Sequence, residues 1–392
     1  MNIVGLFAGI GGIEYGFYGC GHNPSLLCEI MPEAESVLKD RFQDTNIFHD
    51  VCKMEVIPDK TDILTAGFPC QNISIAGDKQ GINGDKSSLL HEIFRLIENS
   101  PQKPRYIIIE NVANIISLHK GEAITLIIDK MMEYGYNWAY RLIDPRSFGI
   151  PQRRPRFVFI ASKEVHPKYI LFPKDEDCGI EIEEKPYVAN LSDAYGFYWT
   201  EGKIGIGWAN NSIPPLKCGS TLGLPSSPAI WNVKDNFFGT PVLEDAERLQ
   251  GFPANWTCAV EKEGFKKNLR WKLIGNAVNT SVSNWISRRM ENIETYDIPK
   301  ERILKHSRSK WNKAGFNDGN KIYGIKASKY PCGINYTPIL NFMENPLIPL
   351  SLKATIGFRK RVLSSTLIKY PQVFIDSLNS YLLKQYDYDR KD

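Results

Sequence analysis

Cys70 is the residue in this sequence most plainly set up to react. It stands in Thr65-Ala66-Gly67-Phe68-Pro69-Cys70-Gln71-Asn72. Asp62-Ile63-Leu64-Thr65-Ala66 is a short apolar run bounded by turn residues, which predicts a buried strand. Gly67 and Pro69 stop that strand sharply. The thiol therefore falls just past the carboxyl end of a strand, where open α/β sheets hold their reactive groups. Once ionised it is a nucleophile, because the thiolate is the working species. The next residues (Ser74, Gly77, Asp78, Gly81, Asn83, Gly84 and Asp85) are too polar and glycine-rich to pack, and predict a mobile loop over the site. The other cysteines (Cys20, Cys28, Cys52, Cys178, Cys218, Cys258 and Cys332) are scattered, with no Cys-x-x-Cys. They predict neither a zinc site nor a disulfide framework.

Carboxylates and cations also stand at the ends of predicted strands. Ile3 to Gly9 reads as a strand, entering Ile10-Gly11-Gly12 and a helix from about Ile13; strand, glycine turn and helix make a nucleotide-binding first crossover. Ser25-Leu26-Leu27-Cys28 ends in Glu29, roughly 20 residues after the glycines, where a carboxylate can accept ribose hydroxyls. A third crossover ends at Asp50. Tyr106-Ile107-Ile108-Ile109 is a continuous apolar strand ending in Glu110-Asn111-Val112, and a carboxylate there is costly without a task or a partner. In Gln152-Arg153-Arg154-Pro155-Arg156 the alternation places Arg154 and Arg156 on one face, a solvated or phosphate-binding edge.

Taken together these stretches resemble the cytosine-C5 DNA methyltransferases. The resemblance rests on six signatures in order over roughly the first 290 residues: Phe7-Ala8-Gly9, Phe68-Pro69-Cys70-Gln71, Glu110-Asn111-Val112, Gln152-x-Arg154-x-Arg156, Glu247-Arg248-Leu249-Gln250-Gly251-Phe252-Pro253, and Gly275-Asn276-Ala277-Val278. It implies a class I S-adenosylmethionine-dependent methyltransferase fold, a Rossmann-like mixed α/β sheet with helices on both faces, plus a smaller, irregular, mainly β target-recognition domain. It implies S-adenosyl-L-methionine as methyl donor and no metal, with the cofactor held by Phe7, Gly9, Ile10, Gly11, Glu29, Ile30, Asp50, Val51, Pro69 and Asn276. Catalysis falls to Cys70, Glu110, Arg154 and Arg156, the arginines reaching the base and phosphate of a flipped nucleotide. DNA contacts fall to Gln71, Ser74, Gln152, Thr221 and Leu222. One position departs from the family: it usually writes Asp-Leu-Phe-Ala-Gly, and this chain has Gly5-Leu6-Phe7-Ala8-Gly9.

The elements that must position these groups divide the chain into three. Residues 1–162 with 270–295 are expected to form the catalytic domain, 163–269 the recognition domain, and 296–392 a basic extension whose first part, 296–330, reads as a polar linker. The 48 Lys+Arg and 44 Asp+Glu are unevenly spread: 16 against 7 in 301–392, 32 against 37 before it. A basic end on a mildly acidic body fits a phosphate-bearing partner or a solvated surface; Arg359-Lys360-Arg361 favours an added DNA-contacting element. With no basic leader and no apolar run long enough for a bilayer, the chain is expected to be cytoplasmic. Double-stranded DNA is the expected partner, a cognate restriction endonuclease a partner within the same system, no membrane is involved, and by analogy the enzyme acts as a monomer. An RNA cytosine methyltransferase of the same fold, or a regulator that binds DNA without catalysis, are the alternative readings.

Overall fold

The computed structural model describes residues 1–69, 89–174, 194–219, 227–298, 302–304 and 311–389. Their contacts divide them into two units: the described residues of 1–148, 155–180 and 277–334, and those of 149–154, 181–276 and 335–392.

The first unit is built on a mixed sheet. Seven strands, β1 (Asn2–Leu6), β2 (Asn23–Cys28), β3 (Asn46–Phe48), β4 (Ile63–Ala66), β5 (Tyr106–Val112), β6 (Asn137–Ile143) and β7 (Arg156–Ser162), lie in the order β3-β2-β1-β4-β5-β7-β6. β1 to β5 run parallel, and β7 runs antiparallel between β5 and β6. Alternate residues feed two apolar layers. Val4, Leu6, Leu64, Ala66, Ile107 and Ile109 meet residues of helices Leu89–Asn99 and Glu122–Glu133; Ile3, Ile63, Tyr106 and Ile108 meet those of Gly12–Tyr18 and Thr280–Glu291. Strands buried on both faces read as unbroken apolar runs, which is why they were legible.

The last two helices pack backbone to backbone. A Cβ on Gly12 would sit 2.4 Å from Val278 O, and one on Gly16 2.5 Å from Ser283 Cβ. Ser283 Oγ and Asn284 Nδ2 donate to the carbonyls of Gly12 and Gly16 at 3.2 and 3.1 Å. The helix expected to fold back from Val278 to about Glu294 thus seats itself directly behind the glycine turn.

Residues 296–330 do more than link. Arg302–Leu304, Ala314–Asp318 and Lys321–Gly324 extend the sheet beyond β6 in antiparallel fashion, giving ten strands among the described residues. Phe316 is fully buried and Trp311 packs on the sheet's apolar face. Asn317 Oδ1 accepts from Trp138 N at 2.6 Å. His166 Nε2 donates to Asn317 O at 2.6 Å while its Nδ1 accepts from Lys168 N at 3.2 Å, so the ring is neutral and locked. Burial pushes its pKa down from 6.5 to about 4. In that window the unfolded chain takes a proton that the native ring refuses, so stability present above pH 6.5 should fall as the pH drops towards 4. Melting curves across this range should show an acid limb that is flatter in His166→Gln.

The second unit carries a five-stranded antiparallel sheet among its described residues, ordered Ile348–Pro349, Phe237–Thr240, Ala229–Asn232, Ala194–Phe197 and Ala209–Asn210. Helices Leu352–Leu363 and Gln372–Asp389 cover it: Phe358, Val362, Phe374, Leu378 and Tyr381 join Tyr195, Phe197, Trp231 and Phe238 in one cluster. The basic extension is therefore divided. Its first part belongs to the large sheet, and its described residues from 335 onward share a core with the recognition segment.

Candidate functional site

β1 stops at Leu6, three residues short of the expected end at Gly9, because Phe7 turns into the left-handed region at φ 56°. That conformation is unusual for a bulky side chain and marks a site held by its surroundings. Gly9 (φ 58°) and Gly11 (φ 80°) continue the turn. A Cβ on Gly11 would strike the Phe42 ring at 2.4 Å, whereas one on Gly9 would meet nothing within 4 Å. The turn at Gly9 thus leaves room beside its backbone. Ile10 is buried and anchors the turn from within.

Glu29 braces this turn from the end of β2. Its Oε2 accepts from Gly9 N at 2.8 Å and its Oε1 from Met31 N at 2.9 Å. Burial pushes the carboxyl up, and the backbone N–H groups oppose that shift. Ile30 beside it is 59% exposed. At the end of β3, Asp50 Oδ1 accepts from Cys52 N at 3.0 Å and caps the turn Val51–Lys53, of which Val51 is buried. Room over Gly9, a buried carboxyl, an exposed apolar side chain and a second carboxylate at the next strand end suit a ligand carrying both hydroxyls and an amino group.

β4 and β5 run parallel, and their pairing ends with Ala66 opposite Ile109, from which β5 continues to Val112. Two bonds fix the residues that follow this pair on the two chains. Asn111 Nδ2 donates to Phe68 O at 2.9 Å, tying the last three residues of β5, Glu110-Asn111-Val112, to the residue two before Cys70. Glu110, 9% exposed, pairs with Arg156 Nε at 3.1 Å from the first residue of β7. Pro69 is exposed. Cys70, Gln71, Ser74, Thr221 and Leu222 lie outside the described residues.

Two expectations need correction. Gln152, expected at DNA, is 0% exposed: its Nε2 donates to Leu249 O at 2.7 Å and to Gln250 Oε1 at 3.2 Å, and its Oε1 accepts from Leu216 N at 2.9 Å. Arg154, expected beside Arg156 at the nucleotide, belongs to the other unit; it is buried and donates to Leu216 O and Gly275 O, both at 2.9 Å. Alternation fails because β7 begins only at Arg156. Both side chains join segments of the second unit through backbone groups that a sequence does not display. Glu247, of the fifth signature, is likewise internal, accepting from Thr257 N at 2.8 Å and from Arg270 at 3.2 Å. Asn276 ends helix Asn268–Asn276 in that unit and is exposed. Asn111, Gly12 and Gly16 were missed as positioning residues; glycines four apart opening a helix were the available signal.

Among the described residues no helix is long and apolar enough to cross a membrane, and no cluster of three His, Cys, Asp or Glu could hold a metal ion. Residues 1–203 match the family model described as C-5 cytosine-specific DNA methylase. The chain is 40% identical over 384 residues to the Type II methyltransferase M2.BsuMI of Bacillus subtilis (strain 168), covering 96% of this chain and 97% of that one. It is 29% identical over 302 residues to the Type II methyltransferase M.MspI of Moraxella sp, covering 74% and 70%. Among solved structures the S. pombe Dnmt2 methyltransferase superposes with a TM-score of 0.50 at 18% identity over 74% of this chain and 99% of that one, a likeness of fold. The chain belongs to the C-5 cytosine-specific DNA methylases and is a DNA (cytosine-5-)-methyltransferase.

Proposed function

We propose that this enzyme methylates C5 of a cytosine flipped out of a specific duplex DNA sequence, through a covalent bond between Cys70 and C6, as the modification half of a restriction–modification pair. The relatives' names as Type II methyltransferases support the last point. The observation that carries the chemistry is the pair of bonds that hold Glu110 on Arg156 and Asn111 on Phe68 O. A carboxyl and the approach to a cysteine are thereby fixed to each other through adjacent parallel strands.

C5 of cytosine is too weak a nucleophile to take a methyl group unaided. Addition of the Cys70 thiolate at C6 turns the ring into an enamine whose C5 is nucleophilic. Glu110 shares a proton with N3 as the thiolate adds and stabilises the charge that develops there, and Arg156 keeps Glu110 in place. S-adenosyl-L-methionine, when bound, supplies the electrophilic methyl group. Glu29 and Asp50 would hold its ribose and adenine, Phe7 and Gly9 would lie against its methionine portion, and Ile30 and Pro69 would line the remainder. Loss of the C5 proton and then of the thiolate restores the aromatic ring. The base must leave the stack for any of this. Gln71, Ser74, Thr221 and Leu222 are the proposed DNA contacts; Arg154 and Gln152 brace segments of the second unit.

Fluorine at C5 blocks the final elimination. The full-length enzyme, incubated with S-adenosyl-L-methionine and a mixed-sequence duplex containing 5-fluorocytosine, should give a denaturation-stable adduct whose peptide map places the DNA on Cys70. Binding without an adduct overturns the covalent reading.

A further inference from the structure

Gly5 stands where the family usually writes aspartate, and the structure shows what fills the space. Gly5 lies in β1 with Leu27 of β2 and Thr65 of β4 as its register partners. Over it sits the carboxyl of Glu14, from the first turn of helix Gly12–Tyr18, 1% exposed. Thr65 Oγ1 donates to Glu14 Oε1 at 2.6 Å, and Oε2 is buried and takes no hydrogen bond. A Cβ built on Gly5 would come within 2.5 Å of Glu14 Oε1 and 2.8 Å of Leu27 Cδ2. Glu14 and an aspartate at position 5 therefore exclude one another. The carboxyl of one occupies the volume the other would enter.

The cost of this arrangement argues for a task. The layer around it is apolar, with Ile3, Ile13, Phe17 and Ile63 in one cluster, and a carboxyl in such surroundings is expensive unless it is used. The two strands it spans are those that carry the chemistry. β1 runs from Gly5 into the turn at Phe7, and β4 runs from Thr65 into Gly67, Pro69 and Cys70.

We propose that Glu14 is a positioning residue whose carboxyl, held from the helix in the volume a side chain at position 5 would enter, braces β1 and β4 beneath the turn Phe7–Gly11 and sets that turn for the cofactor. The inference rests on reading that turn as the cofactor site.

The test is a swap, read by calorimetric binding of S-adenosyl-L-homocysteine to the full-length enzyme alongside kcat and KM. Glu14→Gln keeps the shape and an acceptor for Thr65, and should bind within a few-fold of the native protein. Glu14→Ala, and Gly5→Asp with Glu14 retained, should each weaken binding about tenfold or more, raising KM for the donor above any effect on kcat. Gly5→Asp combined with Glu14→Ala restores one carboxyl to the layer and should recover most of the loss. If Glu14→Ala fails to fold, the Gln variant and the double variant still decide. A purely structural role predicts lower melting temperatures with unchanged affinity and no recovery in the double variant, and either result overturns the inference. If the native enzyme itself does not bind S-adenosyl-L-homocysteine, the cofactor reading fails first, and separately.

Discussion

Glu110→Gln should lower kcat by about 10²- to 10³-fold while leaving duplex binding and S-adenosyl-L-homocysteine affinity near native. The amide keeps the shape of the carboxyl and an oxygen for Arg156 Nε, now 3.1 Å away. What it loses is a proton to share with N3 as the thiolate adds. The loss therefore belongs to the transition state, and kcat and kcat/KM should fall together. Cys70→Ser should fall further, to no detectable turnover and no 5-fluorocytosine adduct, because a serine hydroxyl is far less ionised at neutral pH than a thiol. Arg156→Ala separates holding from chemistry: Glu110 stays but is no longer fixed, so the adduct should still form, more slowly. Single-turnover methyl transfer with pre-bound duplex checks all three. Near-native turnover in Glu110→Gln would remove Glu110 from the mechanism and leave its pair with Arg156 as a brace alone.

How much of this was legible in the sequence depends on where each residue lies. A charged residue ending an unbroken apolar run stands out, so Glu29 and Glu110 could be found, and the strand before Glu110 could be read because both its faces are buried. Glu14 could not be singled out: an acid in the first turn of a helix ordinarily serves the helix dipole, and only the empty position at Gly5 gives it another use. Gln152 and Arg154 were misplaced for a related reason. Polarity announces a need for partners without saying that Leu216, Leu249 and Gly275 carbonyls will supply them. The recognition segment looked irregular because its strands are short and buried on both sides. Tyr195, Phe197 and Trp231 turn to one cluster and Ala194 and Ile230 to another, so neither the alternation of a half-buried strand nor a long apolar run appears.

The basic tail carries the second large effect. Arg359-Lys360-Arg361 favoured a DNA-contacting element, yet Arg361 turns inward and donates to Trp199 O at 2.7 Å and Glu201 O at 3.0 Å, and Arg359 bonds Asn379 across the helix pair. What the tail contributes is core. Phe374 is fully buried and its ring meets those of Phe197, Trp208, Trp231, Phe238, Phe358 and Tyr370 at centroid distances of 4.7 to 6.3 Å. Truncating a phenylalanine in such a cluster removes its transfer energy and leaves a cavity, about 3–5 kcal/mol together. That is a large share of the stability of a typical domain. Phe374→Ala should therefore shift the unfolding of the second unit to much lower denaturant and abolish sequence-specific duplex binding. Calorimetric affinity for S-adenosyl-L-homocysteine should stay near native, since Phe7, Gly9, Glu29 and Asp50 all belong to the other unit. Lys360→Ala, on the same helix pair but outside that core, should change neither measurement by much. If instead Lys360→Ala weakens duplex binding and flattens its salt dependence while Phe374→Ala leaves it intact, the tail acts through its charge after all, and the aromatic cluster is dispensable to recognition.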